Sequence, residues 1–234
     1  MSIAPNPYLF TQIGLDSGML TMLGSIVHKF NEPGEYRGVS VRENLTEAVF
    51  YLTVERDRAV NQVNIDLATL GQTTASDCCA CEKKHGSPSQ GHFILGEQGY
   101  AVFHVSSGPG GYAVRIGRAA KEPERKEFDS TELNDGDLFA ATILRPGRYS
   151  LRNLVQSDAA PGDLIVNYPP VGTTPHRAAS PVRIECTKAG FSPSTLEITA
   201  TQGCIVAPLI PSRIKVELVT PFNPPSSPRQ GQSR

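Results

Sequence analysis

Apolar residues recur at every second position over much of this chain, in short runs separated by clusters of Gly, Pro, Asn, Asp and Ser. Val60 to Leu67 shows the pattern best: Val63, Ile65 and Leu67 alternate with Asn64 and Asp66, so one face of an extended segment is apolar and the other polar. By the same signals, strands are predicted at Leu23 to Phe30, Tyr36 to Val41, Ala48 to Val54, Tyr100 to Val105 and Tyr112 to Ile116. Further ones are predicted at Asp137 to Leu144, Arg148 to Leu154, Leu164 to Tyr168, Val182 to Thr187, Thr195 to Ala200, Cys204 to Val206 and Arg213 to Val219. The Ser106 to Gly111 stretch reads as a hairpin loop between two of them. Arg118 to Glu127 reads as an exposed loop or a short helix.

The predicted organisation follows from where this alternation fails. Residues 1–22 have mixed character and read as an N-terminal arm or packed loop. A β-sandwich domain is predicted over 23–169, interrupted by a loop at 73–91 with no periodic apolar pattern. Residues 170–181 read as a linker, 182–220 as a C-terminal β unit, and 221–234 as a disordered Pro-, Ser- and Gln-rich tail. Two segments echo each other. Glu32-Pro33-Gly34-Glu35-Tyr36 and Arg145-Pro146-Gly147-Arg148-Tyr149 each follow an apolar strand and precede another, which hints at two related β units.

Composition supports an all-β reading. The chain of 234 residues holds 21 Gly and 19 Pro, more turn formers than helical packing tolerates. A net charge of −1, with both signs interspersed, argues against nucleic acid as the partner. No apolar run approaches the roughly 20 residues of a membrane-spanning helix. Met1 to Phe10 carries no secretory pattern, so the expected compartment is the cytoplasm. Reduced thiols fit that expectation, and Cys186 and Cys204 read as two half-buried free cysteines, with a bridge between them as the alternative for an exported protein.

The stretch Ser130 to Phe139, leading into Arg145-Pro146-Gly147-Arg148-Tyr149-Ser150-Leu151-Arg152, resembles the second half of a cupredoxin. Pro161-Gly162-Asp163 and Leu164-Ile165-Val166 would supply the final elements. Gly190-Phe191-Ser192-Pro193-Ser194-Thr195-Leu196-Glu197-Ile198 is similar to the opening strands of that family, although it follows the other half. The resemblance covers about a third of the chain and implies Greek-key, cupredoxin-like β-sandwiches. It does not extend to the metal. Where the family places its Cys, His and Met ligands, this chain has Arg152 to Ala160, with no soft ligand, and Arg37 to Thr46 likewise offers none. Type-1 copper is therefore not expected.

One cluster bears chemistry. Cys78, Cys79, Cys81, His85 and His92 gather three of five cysteines and two of five histidines into fifteen positions. Thiolates and imidazoles suit Zn²⁺ or Cu(I), and a loop can wrap such ligands around one ion. Cys78, Cys81, His85 and His92 form the expected set, with Cys79 as a substitute. A redox pair of Cys78 or Cys79 with Cys81 and a plain solvated loop are the alternatives. Lone strand histidines, His28 and His104, read as structural, and Asp135 and Asp137 as turn caps. The expected function is a non-enzymatic binding or assembly protein whose partner is another protein or a second copy. A metal-handling or redox-sensing protein is the alternative, and an enzyme with a site not readable from sequence comes third.

Overall fold

A computed structural model describes residues 13–70, 91–119, 126–169 and 179–223. Among them there is no helix and there are seventeen strands. The first eight are β1 (Gly14–Asp16), β2 (Gly24–Lys29), β3 (Gly34–Arg42), β4 (Leu45–Glu55), β5 (Gln62–Asp66), β6 (Gly91–Gly96), β7 (Tyr100–His104) and β8 (Tyr112–Arg118). After β9 (Lys126–Asp129) come β10 (Leu138–Thr142), β11 (Gly147–Asn153), β12 (Gly162–Asn167), β13 (Val182–Thr187), β14 (Gly190–Ser192), β15 (Thr195–Thr199), β16 (Gly203–Pro208) and β17 (Ile214–Pro221).

The strands form three mixed sheets. A seven-stranded sheet runs β14-β13-β16-β10-β2-β7-β5. One five-stranded sheet, β6-β4-β3-β8-β9, lies against its β2-β7-β5 end; the other, β15-β12-β11-β17-β1, lies against its β14-β13-β16-β10 end. Ring contacts tie the first pair of layers: Phe50 meets Phe103 at 6.2 Å, and Phe128 stacks on Phe103 at 5.6 Å. In the second, a Cβ on Gly162 would sit 3.0 Å from Phe191, so the layers meet there only because the residue is glycine. The core is one contiguous cluster that runs through both ends.

The echo of Pro-Gly-x-Tyr is the visible part of a repeat of topology in which, among the described residues, only β14 lacks a counterpart. β2 pairs with β7 as β10 does with β16; β3 pairs with β4 and β8 as β11 does with β12 and β17. The parallel pairs β4·β6 and β5·β7 match β12·β15 and β13·β16. Individual hydrogen bonds repeat too. Tyr36 Oη donates to the Glu32 carbonyl, and Tyr149 Oη to the Arg145 carbonyl, both at 2.7 Å. Burial raises the pKa of both phenols, keeping each a donor.

Two short strands are exchanged between the repeats. β1 leads into the first half but pairs with β17 of the second; β9 leads into the second half but pairs with β8 of the first. The segments that follow match residue for residue. Ser17 N donates to Ile214 O and accepts Ile214 N on its hydroxyl; Ser130 does the same with Val114, N–H to carbonyl at 2.9 Å in both cases. Leu20 and Leu133, three residues on, are fully buried. Each buried hydroxyl satisfies a strand N–H that would otherwise be stranded, a contribution of about 1 kcal/mol.

The predicted strands lie where the alternation placed them. Four others do not announce themselves: β1, β9 and β14 have three or four residues each, and β6 follows directly on the irregular 73–91 stretch. Of the two readings of residues 1–22, an arm or a packed loop, the described part is packed from Gly14 onward, with Leu15, Leu20 and Met22 buried. Ser106 to Gly111 is not a hairpin, because β7 and β8 belong to different sheets and the segment crosses between layers. The strands on either side of 170–181 share two sheets, so β13 to β17 complete the second half begun by β10, β11 and β12. Residues 73–90 of the predicted 73–91 loop, residues 170–178 of the linker and the tail beyond 223 lie outside the described residues, and Gly91 opens β6.

Candidate functional site

Strand β3 sets the geometry of the outer face of the first five-stranded sheet. Its alternation sends Tyr36 and Ser40 into the core and Arg37 and Val39 outward. Gly38 lies on the inner face, where a Cβ would fall 2.1 Å from the Phe50 ring; the absent side chain lets Phe50 pack under the strand. Register then lines up two rows across the outer face. One reads His92, Tyr51, Arg37, Gly117, Lys126, and the next Val49, Val39, Arg115, Asp129.

Gly117 interrupts the first row, and a hollow of about 290 Å³ lies beside it, walled by Arg37, Arg115, Lys126 and Val39. A second hollow of about 340 Å³ lies across Tyr51, bordered by Glu35, Thr53 and His92. Among the described residues that line the first hollow, Arg37, Arg115 and Lys126 stand with one carboxylate, Asp129. That carboxylate is held by Thr131, whose N–H and hydroxyl donate to Oδ1 at 2.9 and 2.6 Å. Its Oδ2 stands 3.7 Å from Arg115 Nε and 3.5 Å from Lys126 Nζ, loose distances that leave both cations more than half exposed, at 58% and 55%.

The equivalent face of the second half is closed electrostatically. Ser150 takes the place of Arg37, Lys215 of Arg115, and Glu217 of Gly117. Lys215 Nζ lies 3.3 Å from Glu217 Oε1. Where the first half has Tyr51, Asp163 forms a two-bond pair with Arg148, at 2.7 and 3.2 Å. That hydrogen bonding holds the Asp163 carboxyl below the usual range and raises the Arg148 guanidinium.

Of the predicted metal ligands, Cys78, Cys79, Cys81 and His85 lie outside the described residues. His92 stands on β6, exposed on the outer face, its Nε2 2.9 Å from Thr53 Oγ1. Among the described residues no three His, Cys, Asp or Glu side chains converge as metal ligands would. Cys186 and Cys204 are free but fully buried rather than half-buried. Parallel register puts Cys204 opposite Val182 and Cys186 opposite Pro208, four residues along, or roughly 13 Å, too far for a bridge. Burial pushes the Cys204 thiol up to about 12 and raises Cys186, away from the thiolate that would bind metal.

Sequence reasoning missed one pairing outright. His28 and Asp137, 109 residues apart, face each other where β2 meets β10, His28 Nδ1 lying 2.6 Å from Asp137 Oδ1. The turn-cap reading of Asp137 accounts for its other oxygen, which accepts Asn134 N at 2.7 Å. The imidazole is wedged against Phe30 and Phe128, and its Nε2 is buried without a hydrogen-bond partner. A nitrogen so enclosed cannot reach a substrate in solvent, so the pair joins the two halves mechanically. No signal in sequence marks it. The outward direction of Arg37 and Val39 follows from the alternation of β3, but the row across the sheet depends on register between strands.

No protein-family model, curated protein or solved structure matches this chain.

Proposed function

We propose that this protein acts by binding, with its two interlocked β halves as a rigid scaffold and the outer face of the β6-β4-β3-β8-β9 sheet as its working surface. The partner is a protein presenting acidic side chains. The observation that carries this is the contrast between the two equivalent faces: one neutralises itself through Lys215–Glu217 and Arg148–Asp163, the other leaves Arg115 and Lys126 loosely held beside a hollow. Exposed, loosely paired cations on a shallow, partly apolar surface suit an oppositely charged partner. Each half reads as cupredoxin-like, a reading supported by the paired Pro-Gly-x-Tyr strands, and the same face could equally join copies of the chain.

Labelled poly-glutamate provides the test. Binding should weaken as salt rises, and an Arg115→Glu/Lys126→Glu variant should lose at least tenfold in affinity. Arg152→Glu/Lys215→Glu on the second face should change it less than twofold. Equal losses from both variants, or no binding by the native protein, would exclude this face. Light scattering identifies self-association by a mass that rises with concentration.

A soft metal, Zn²⁺ or Cu(I), held by Cys78, Cys81, His85 and His92 is a second element of the proposal, favoured by the exposed position of His92 on the same face. Protein purified without chelator should then contain metal that a Cys78→Ser/Cys81→Ser variant lacks. Equal metal content in the two proteins removes the idea.

A further inference from the structure

The seven-stranded sheet has one face in the core and an apolar centre on the other, and we infer that a second copy of the chain covers that outer face in a two-fold, face-to-face dimer. This surface is separate from the acidic-partner face proposed above. Register aligns an inward row over six strands, Ile65, Phe103, Ile26, Phe139, Val206 and Ile184, all at 0–1% exposure. Phe103 and Phe191, which meet the two five-stranded sheets, lie on this same side, so both sheets pack against it. The alternate positions point the other way. Val27, Val102, Leu138, Ala140 and Ile205 stand there, half-buried, on the inner strands β2, β7, β10 and β16, with a described strand beyond them on either side.

A sheet face turned to water carries polar residues. The outer face of the β15-β12-β11-β17-β1 sheet does so, with Arg148, Ser150, Arg152, Asp163, Lys215 and Glu217. The centre of the seven-stranded sheet instead has the composition of a sandwich interior, where a second sheet packs face to face. Size and charge favour a second copy as that sheet. Seven strands about 4.8 Å apart, most of them five or six residues long, span about 30 by 17 Å; two such faces bury about 1,000 Å² in total, enough for a specific contact. The outward row Arg183, Ile205, Ala140, Ser25, His104, Asp66 carries opposite charges at its two ends. A two-fold axis parallel to the strands, passing between Ala140 and Ser25, lays this row on itself end for end, and each Arg183 then meets Asp66 of the other copy. Arg183 is 61% exposed and only loosely held, 3.7 Å from Glu185. Asp66 is fixed by the N–H groups of Ser106 and Ala68, both at 3.1 Å, neutral donors that position the carboxylate without cancelling its charge.

Sedimentation equilibrium of the full chain should give twice the chain mass, with no larger species as concentration rises. Ala140→Glu places two like charges beside the axis. It should raise the dissociation constant at least tenfold while keeping the native far-ultraviolet circular dichroism. If Ala140→Glu does not fold, the milder Ile205→Thr should still raise it at least threefold. Arg183→Glu should weaken the dimer at least fivefold, and Glu185→Arg, which this axis sets over the uncharged Asn64, less than twofold. Arg115→Glu/Lys126→Glu, on the five-stranded face, should leave it unchanged. A monomer up to millimolar protein, or a mass that climbs past two copies, overturns the inference. So does a dimer that survives Ala140→Glu but is lost in Arg115→Glu/Lys126→Glu, since self-association would then belong to the other face. Equal losses from Arg183→Glu and Glu185→Arg overturn this axis. Binding of poly-glutamate is read separately, and its failure leaves the dimer standing.

Discussion

The two halves of the molecule share their backbone and differ at their surfaces. Equivalent turns make equivalent hydrogen bonds: Gln98 N donates to Phe30 O and Thr201 N to Ile143 O, each at 2.9 Å, and both Gln98 and Thr201 take positive φ. The conformation is retained whatever side chain occupies it. Leu23 holds a φ of 73° at the place where Gly136 has 94°, although leucine is strained there and glycine is not. Outward positions show no such restraint. Gly117 has become Glu217, Tyr51 is matched by Asp163, and a hollow is replaced by ion pairs. Inner positions are tied to many neighbours, so a change there disturbs packing on all sides; outward ones answer mainly to solvent and to whatever binds.

The junction between the halves breaks the symmetry more deeply. At one end of the β2·β10 pair stand His28 and Asp137; at the equivalent end stand Ala141 and Gly24, closed over by Leu15 and Phe139, each 3.6 Å from where a Gly24 Cβ would lie. Removing one member of a buried, hydrogen-bonded pair strands the other. Asp137→Ala should therefore cost about 3 kcal/mol of stability, the largest effect expected from a single exposed or junction side chain. A double-mutant cycle with His28→Ala, read by chemical denaturation, should return a coupling of about 1–3 kcal/mol. Additive losses would mean that the junction gains nothing from the pair and that its two ends are energetically alike.

A smaller effect tests the turns. A Cβ on Gly136 would meet nothing within 4 Å, so Gly136→Ala changes only the cost of the left-handed conformation, about 1 kcal/mol. A loss of that size in the unfolding free energy would show that Leu23 bears a similar strain in the other half, offset by its packing against the core. No measurable loss would mean the turn relaxes, and that the two halves are matched in shape but not in energy.

How much of this could be read beforehand divides along physical lines. Strands longer than five residues with one wet face, such as β3 and β11, declare themselves, because alternation is imposed by the pleat. The three- and four-residue strands β1, β9 and β14 contain too few positions for a period to show. In the sequence the repeat surfaced only as Pro-Gly-x-Tyr. The longer correspondence, Asp16-Ser17 with Leu20 against Asp129-Ser130 with Leu133, rests on residues whose roles appear only when β1 and β9 are seen to cross over. Cys78, Cys79, Cys81 and His85 stood out for composition alone, and His92 was the member that the fold placed, on the rim of the second hollow.

The sequence by itself determined the all-β architecture, the inward and outward faces of the long strands, and the absence of Cys, His and Met from the Arg152 to Ala160 segment. Those properties are local: period, turn chemistry and residue type are written along the chain. Only the tertiary structure decided that two repeats interlock by exchanging strands, that His28 meets Asp137, and that Arg37, Arg115 and Lys126 gather around Gly117. Each of those depends on register between strands far apart in sequence, and register is set by the packing of the whole core rather than by any segment within it.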